Sequence, residues 1–307
     1  MQEFCNVIPV LVIYKSTERM VDIKDVLEKL SNLFNCVIVV DNDLTDRLRY
    51  FYQCIPTVSY IHNGNRGGLA GAYNSAVTFI EKNRPRLEYI LFLDDDTRLS
   101  DIYLSGYLER LISIQRQHGA IAVTGRYRDV NSETYCNFVR LRTWSYKRVI
   151  SCGQPEQVTF IINSMSLWSY KDLITLGRFN EELMVDHVDS EICLRASEKG
   201  FKVFADYSLV FNHEIGRRLS YSLFGFKLNS GNHGVERRFL IGMGTAYLLR
   251  SRLLSWPAVS LFMFERAVYE ILGILLVERN KYNKLCAFIK GFYYGIIVNY
   301  AELKKPK

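Results

Sequence analysis

The sequence predicts an α/β protein in which a mostly parallel sheet is flanked by helices and followed by a helical C-terminal appendage. Through the first half of the chain, short apolar runs rich in β-branched residues alternate with segments whose apolar residues recur at helical spacing. Beyond about Gly231 the chain changes to long helical stretches rich in Tyr, Phe and Leu. We therefore expect one α/β domain over residues 1–230 and a helical region over 231–307.

The alternation can be followed element by element. The residues between 135 and 149 are polar, aromatic and basic, and we expect short strands there. In parallel sheets ligands gather where strands end, so the polar residues that follow each strand are the candidates for a site. The predicted strands cover 7–14, 37–40, 57–61, 89–93, 121–123 and 157–162, and the predicted helices cover 23–34, 68–80, 101–117 and 189–199.

Composition restricts the class of protein. The 307 residues are 49% hydrophobic and 23% charged, as in a folded chain, with a net charge of +7. The seven cysteines stand singly, which argues against a disulfide framework or a zinc knuckle. We interpret the basic residues near the C-terminus as a solvent-exposed end of the chain. Because no nucleic-acid recognition motif accompanies them, we expect no nucleic-acid partner.

The N-terminal residues lack the basic region and apolar run of a signal peptide, so we expect a cytoplasmic protein. The longest apolar stretches near the C-terminus are interrupted by Glu270 and Lys290. Both are shorter than the roughly 20 apolar residues of a membrane span. They are more typical of amphipathic helices.

Three consecutive carboxylates, Asp94, Asp95 and Asp96, end an apolar strand. Adjacent acids repel one another, and a bound divalent cation compensates that repulsion. Oxygen ligands suit Mg²⁺ or Mn²⁺ beside a diphosphate. The pattern therefore favours a metal site over a solvated turn. A phosphatase with an Asp nucleophile is the alternative, but Arg98 stands where that motif has Thr or Val.

The glycine-rich segment 63–74 follows a predicted strand and opens a predicted helix. Glycines let a backbone approach a ligand closely, and a helix N-terminus favours a phosphate. A tight turn with close helix packing is an equally good explanation. The Walker lysine and the spacing of a dinucleotide fingerprint are both missing.

A second acidic group contains Asp186, Asp189 and Glu191 at the predicted start of a helix. Asp189 can act as a helix cap, as a general base, or as both. His213 stands alone further along the chain, and a single histidine is by itself weak evidence for a site.

In their order along the chain, these segments resemble the family-2 glycosyltransferases with the GT-A fold, and especially their rhamnosyltransferase-like branch. The resemblance implies a Rossmann-like nucleotide-sugar-binding and catalytic domain. It covers most of the chain, from about residue 7 to residue 216. It rests on the segments 39–42, 63–72, 93–96, 177–183, 185–195 and 213–216.

The resemblance also implies roles for individual residues. Asp189 matches the catalytic base of the family. Residues 163–166 stand near the donor sugar, where the family often has Thr-Ser-Gly-Ser. The family's Arg-rich run after the histidine is echoed only by Arg238. The residues implied to contact the nucleotide are Asp41, Asn65, Arg66, Gly67, Gly68, Asp94 and Asp95, and those implied to hold Mg²⁺ or Mn²⁺ are Asp94, Asp96 and His213.

The implied activity is metal-dependent, inverting transfer of a sugar from a nucleoside diphosphate to a hydroxyl group in surface polysaccharide synthesis. dTDP-rhamnose is the first expected donor, and UDP-galactofuranose, UDP-galactose and UDP-GlcNAc are alternatives. The expected acceptor is a glycan or a polyprenyl-diphosphate-linked glycan. Aromatic residues of the C-terminal region, among them Phe264, Phe288 and Tyr293, would touch the cytoplasmic face of the inner membrane. Packing against a second copy or in an internal core is the alternative. A non-catalytic nucleotide-binding partner in a glycan assembly complex is the rival function.

Overall fold

The computed structural model shows a mixed α/β protein that divides into two compact units. Unit 1 contains residues 1–140, 148–184 and 188–214, and unit 2 contains 141–147, 185–187 and 215–307. The residues that the structure describes are 4–14, 20–84, 86–99, 102–151, 153–214, 219–223 and 226–297.

A nine-stranded sheet forms the centre of unit 1. Its strand order is β3-β2-β1-β4-β10-β6-β11-β5, with β9 paired to β11. The first four strands in that order are parallel to one another, and β10 runs antiparallel to both of its neighbours. The strands are β1 (Val7–Ile13), β2 (Val37–Asp41), β3 (Val58–His62), β4 (Tyr89–Asp94), β5 (Thr97–Arg98), β6 (Ala120–Asp129), β9 (Glu156–Val158), β10 (Ser166–Ser169) and β11 (Lys202–His213).

Strands β1 and β4 lie at the point where the chain changes direction across the sheet. The chain moves from β1 to β2 and β3 on one side, and then returns to β4 on the other side of β1. All seven residues of β1 are buried, as expected for a strand that is covered on both faces. The carboxyl ends of β1 and β4 therefore border the crevice in which open α/β sheets bind ligands.

In the described part of unit 1, six helices and one 3₁₀ turn accompany this sheet. Apolar residues of α1 and α4 pack with alternate residues of β1 and β4, and with Ala120 and Val123 of β6, in the main hydrophobic core. Helix α3 contacts β1 and β2. The helices are α1 (Met20–Leu33), α2 (Arg49–Gln53), α3 (Gly68–Asn83), α4 (Leu104–His118), α5 (Tyr170–Leu176) and α6 (Val188–Glu198), and the 3₁₀ turn is Glu181–Leu183.

The predicted fold class is confirmed, with differences in the second half of the sheet. The short strands expected between 135 and 149 are present as a two-stranded sheet of β7 (Val139–Leu141) and β8 (Tyr146–Arg148). The strand predicted over 157–162 is shorter, at Glu156–Val158, and the sequence pattern did not indicate β10 or β11. Polar residues interrupt both of these strands, and their partners are distant in sequence, so a local pattern does not reveal them.

Unit 2 is built from three helices and a hairpin. Ile241, Ala267, Ile274 and Phe288 form its apolar core. The hairpin pairs β12 (Leu219–Leu223) with β13 (Phe226–Ser230), and the helices are α7 (Val235–Ser251), α8 (Pro257–Leu276) and α9 (Lys281–Ile297).

A buried ion network joins the elements of unit 2. The guanidinium of Arg238, which is fully buried, pairs with the carboxylates of Glu270 and Glu278. Lys284 donates to Glu278 at 2.9 Å, and the Ser230 hydroxyl donates to the same carboxylate. Two cations face two carboxylates, so the buried charges balance. Arg238, the echo of the family's Arg-rich run, therefore has a structural partner set inside unit 2.

Glycines let α7 and α9 approach backbone to backbone. A Cβ atom on Gly291 would lie 2.0 Å from the carbonyl oxygen of Phe239, and one on Gly295 would lie 2.3 Å from that of Met243. A Cβ atom on Gly242 would lie 2.3 Å from the Phe288 carbonyl oxygen. Small residues at such positions allow helices to pack closely.

The exposure of aromatic side chains in unit 2 can be compared with the predicted membrane contact. Phe264 and Tyr293 are 57% and 65% exposed, whereas Phe288 is 1% exposed and packs in the internal core, the alternative to membrane contact. Among the described residues, no helix is both long enough and apolar enough to span a bilayer.

We expect Gly291→Ala to destabilise unit 2, because its methyl group would collide with the Phe239 carbonyl. Overpacking of this kind costs about 1–3 kcal/mol, which outweighs the helix propensity that Ala adds. Urea denaturation measures the loss. Lys290→Ala, at the exposed neighbouring position, is the control and should change stability by less than about 0.5 kcal/mol. Equal stability of the two variants would contradict the close packing of α7 and α9.

Candidate active site at the end of the central sheet

The acid tip, Asp94–Asp96, lies where β4 ends. The Tyr73 hydroxyl, from α3, donates a hydrogen bond to Asp94 Oδ1 at 3.0 Å. The backbone N–H of Tyr14, directly after β1, donates to Asp95 Oδ2 at 2.9 Å. The first two acids are thus held by two different elements, helix α3 and the residue after β1.

The third acid of the tip meets the predicted histidine. Asp96 Oδ1 lies 3.3 Å from His213 Nδ1. The two residues come together because β5 pairs antiparallel with the end of β11, with Thr97 opposite His213 and Arg98 opposite Asn212. A carboxylate oxygen and an imidazole nitrogen that are far apart in sequence therefore lie side by side, and both could bind a metal ion.

Crowding of the carboxylates changes their acidity. Burial raises the pKa of Asp94 well above its usual range, and the negative charge of Asp96 raises it further. The hydrogen bond from Tyr73 opposes this shift. Burial and the neighbouring acid therefore favour the neutral form of Asp94 unless a cation compensates its charge.

Asp189 lies in the first turn of α6, one residue after its start at Val188, and is half-buried. Burial raises the pKa of Tyr73 well above its ordinary value, and the charges of Asp94 and then Asp189 raise it further. The charge of Asp189 therefore affects the same phenol that donates a hydrogen bond to Asp94. The role of Asp189 as a site residue remains a prediction.

The other two acids of the second acidic group have structural partners. Glu191 is 5% exposed and receives two hydrogen bonds from Arg195, one turn later on α6. Arg195 also donates to the carbonyl oxygens of Leu176 and Arg178. Within unit 2, Asp186 pairs with Arg237 at 3.2 Å. Glu191 and Asp186 thus stabilise their surroundings.

The glycine-rich segment docks onto another part of unit 1. The N–H of Ala70, in the first turn of α3, donates to the Met184 carbonyl at 3.2 Å. A Cβ atom on Gly68 would lie 2.5 Å from that carbonyl oxygen, and one on Gly67 would lie 2.7 Å from the Glu181 carboxylate. Of the two explanations for these glycines, the observed contacts show close packing. Nucleotide contacts of Asn65, Arg66, Gly67 and Gly68 remain a prediction.

Asn74 adds to this docking and was not singled out from the sequence. Its side chain donates to the Phe179 carbonyl at 3.0 Å and accepts from the Phe179 N–H at 2.9 Å. It also donates to the Glu181 carboxylate at 2.7 Å. A buried amide on an otherwise apolar helix face was the available sequence signal. Helix α3 thereby holds the segment 179–184, which leads towards Asp189.

A further polar group surrounds Asp41 at the end of β2. Its carboxylate accepts from the Tyr60 hydroxyl at 2.8 Å and from the Asp43 N–H at 2.9 Å. Burial raises the pKa of Asp41, and these two bonds oppose the rise. Nearby, Asn42 donates to Asn65 Oδ1 at 3.2 Å. Asp41 and Asn65 are therefore close to the same crevice edge, as predicted.

Met165 replaces the glycine that the family often has, yet the backbone keeps a glycine-like conformation. Its φ of +57° lies in the left-handed region. The carbonyl of Met165 accepts from the Tyr107 and Thr124 hydroxyls at 3.0 and 3.2 Å, and its side chain is fully buried. The neighbouring Ser164 bonds the Thr97 hydroxyl. The Met side chain therefore points into the core, while the backbone beside the acid tip is retained.

These features are those of a nucleotide-sugar transferase, and the chain belongs to glycosyl transferase family 2. The sequence model of that family, described as "Glycosyl transferase family 2", matches residues 14–177, more than half of the chain. The matched region includes the ends of β2 and β3, the glycine-rich segment and the acid tip. The predicted family is confirmed.

Two similar proteins define the relationship more closely. The chain is 25% identical over 256 residues to "dTDP-rhamnosyl transferase RfbF" of Shigella flexneri, which covers 82% of each chain. The crystal structure of GalNAc-T7 with UDP, GalNAc and Mn²⁺ matches with a TM-score of 0.51 at 13% identity. That match covers 97% of this chain, which spans 57% of the length of GalNAc-T7, and it supports the GT-A fold alone.

We expect Gly68→Ala to be more destabilising than Gly64→Ala. Both glycines have left-handed backbones, with φ of +59° and +62°, so either alanine costs about 1–2 kcal/mol in strain. At Gly64 the nearest atom is an ordinary contact at 3.5 Å, whereas at Gly68 the Met184 carbonyl must also move. The free energy of unfolding in urea should fall by at least about 1 kcal/mol more for Gly68→Ala. Equal losses for the two variants would show that the contact between Gly68 and the Met184 carbonyl does not contribute to stability.

Proposed function

We propose that this protein is a metal-dependent, inverting glycosyltransferase that moves a sugar from a nucleoside diphosphate to an acceptor hydroxyl. The observation that carries the proposal is the geometry of the acid tip, where Tyr73 binds Asp94 and Asp96 meets His213. The charge of Asp189 also reaches the Tyr73 phenol. Residues 1–230 would form the catalytic domain. A base and an anion-rich metal site within one crevice supply the two functions that such a transfer needs.

The residues at the acid tip fit a divalent cation. Asp96 and His213 offer one oxygen and one nitrogen ligand, with Asp94 as a further oxygen donor. Among the described residues, no group of three or more His, Cys, Asp or Glu side chains is arranged to hold an ion by itself. Mg²⁺ and Mn²⁺ sites of transferases commonly take one or two protein ligands and complete their shell with substrate phosphates. When bound, the cation would act as a Lewis acid on the diphosphate.

We propose dTDP-rhamnose as the donor, because the chain resembles a dTDP-rhamnosyl transferase over 82% of its length. UDP-galactofuranose, UDP-galactose and UDP-GlcNAc remain alternatives. Asp41, Asn65, Arg66 and the acid Asp95 would contact the nucleoside. The carboxylate of Glu181 lies against Gly67, which disfavours a phosphate there, so the glycines would face the neutral part of the nucleotide.

Asp189 is the proposed general base. Its carboxylate would take the proton from the acceptor hydroxyl while the hydroxyl oxygen attacks the anomeric carbon. The bond from that carbon to the diphosphate oxygen breaks, and the nucleoside diphosphate leaves with the bonding electrons. A single in-line displacement inverts the anomeric configuration and needs no covalent intermediate.

The acceptor would be a glycan or a polyprenyl-diphosphate-linked glycan at the cytoplasmic face of the inner membrane. Exposed apolar side chains on α8 and α9, such as Phe264 and Tyr293, support a contact of residues 231–307 with a membrane surface or with a second copy. Exposed Lys281 and Lys290 would favour anionic headgroups. The product would extend a surface polysaccharide.

We expect Asp189→Asn to bind nucleoside diphosphate normally and to lose sugar transfer by at least about 100-fold, the usual contribution of a general base. Transfer is measured with a panel of nucleotide sugars, and binding is measured by calorimetry. Glu198→Gln, at an exposed position of the same helix, is the control and should keep full activity. Transfer by Asp189→Asn at near wild-type rates would remove Asp189 from this role. A wild-type protein that binds nucleotide without transferring sugar would support the non-catalytic alternative.

We expect a chelator to abolish transfer and added Mn²⁺ to restore it. His213→Ala should raise the Mn²⁺ concentration needed for half-maximal activity by about tenfold, because it removes one of few protein ligands. His118→Ala is the control, since that ring stacks on Phe204 at the opposite end of the strands. Full activity in the chelator would contradict a metal-dependent mechanism.

A further inference from the structure

We propose that the Tyr73 hydroxyl is a positioning residue that fixes the Asp94 carboxylate for donor binding. This inference rests on the proposed function and deepens it. Tyr73 lies on the second turn of α3, outside the acid tip and outside the second acidic group. Nothing in the sequence pattern distinguishes it from an apolar core residue.

The aromatic ring of Tyr73 is part of the hydrophobic packing. It is fully buried, and its centroid lies 4.8 Å from that of Phe92 and 4.9 Å from that of Phe179. A phenylalanine would make these same contacts. Packing therefore explains the ring and leaves the hydroxyl to be explained.

The hydroxyl has a specific partner in the site. It donates to Asp94 Oδ1 at 3.0 Å. A buried hydroxyl is costly unless it is hydrogen-bonded, and a bond to a carboxylate is among the stronger ones. Asn163, which is 1% exposed, lies beside the same phenol. The Asp94 carboxylate is therefore held in one orientation from the α3 side.

Electrostatics shows why this orientation matters. The charge of Asp96 repels that of Asp94, and the charge of Asp189 also acts on the Tyr73 phenol. Without the hydroxyl, the Asp94 carboxylate would be free to turn away from these charges. Tyr73 thus keeps one acid of the tip directed at the donor, while Asp189 stays available to the acceptor.

The decisive comparison is Tyr73→Phe against the wild type, with Tyr89→Phe as the matched control. Tyr89 is also a buried tyrosine, but it begins β4 at the opposite end, and its hydroxyl accepts from Arg116 at 3.2 Å. Calorimetry with Mn²⁺ and either UDP or dTDP measures nucleotide binding directly. We expect the Kd to rise about tenfold for Tyr73→Phe, which corresponds to about 1.4 kcal/mol, and to stay unchanged for Tyr89→Phe.

Steady-state kinetics separates positioning from general structural damage. For Tyr73→Phe we expect the donor KM to rise with the Kd, while the acceptor KM and the melting temperature stay near the wild-type values. A double-mutant cycle with Asp94→Asn tests whether the Tyr73 hydroxyl affects nucleotide binding through Asp94. If the hydroxyl acts through Asp94, the double variant binds nucleotide no more weakly than Asp94→Asn alone.

Four results would overturn the inference. Unchanged nucleotide binding and donor KM in Tyr73→Phe would show that the hydroxyl has no role in donor binding. Additive losses in the double variant would show that it acts independently of Asp94. A large fall in melting temperature together with lost binding would make the hydroxyl purely structural. A wild-type protein that binds no nucleoside diphosphate would overturn the proposed function as well, whereas the first three results leave that function standing.

Discussion

The site depends on one constraint, which is that three adjacent carboxylates at the end of β4 must be held apart and in place. Each acid of the tip is tied to a different element: Asp94 to α3, Asp95 to the end of β1, and Asp96 to His213 on β11. Like charges at this spacing repel one another, so the arrangement persists only because the buried sheet behind it fixes where those elements end. The central sheet therefore determines where the three carboxylates of the acid tip lie.

Helix α3 connects the two halves of the site. Its second turn carries Tyr73, which bonds the acid tip, and next to it Asn74, which holds the segment leading towards Asp189. The glycines at its start give that segment room to dock, with the Met184 carbonyl on the first turn. The glycine-rich segment thus helps to set the distance between the acid tip and the segment that leads to Asp189.

Much of the fold could be predicted from the sequence, because β1, β2, β4 and α3 have strong local patterns of apolar residues. Residue type and order predict the acid tip and Asp189 as site residues. The pairing of Asp96 with His213 could not be derived locally, since it depends on β5 meeting β11 across more than a hundred residues. The left-handed backbone of Met165 and the role of Tyr73 also depend on tertiary contacts, and neither residue type signals them.

The most direct test of the central claim is a crystal structure with Mn²⁺ and a nucleoside diphosphate, with diffraction data collected at the manganese absorption edge. We predict an anomalous peak between Asp96 and His213, with phosphate oxygens completing the coordination. We also predict that Asp189 faces the position of the departing sugar. A manganese peak elsewhere, or a nucleotide bound away from the end of β4, would contradict the account.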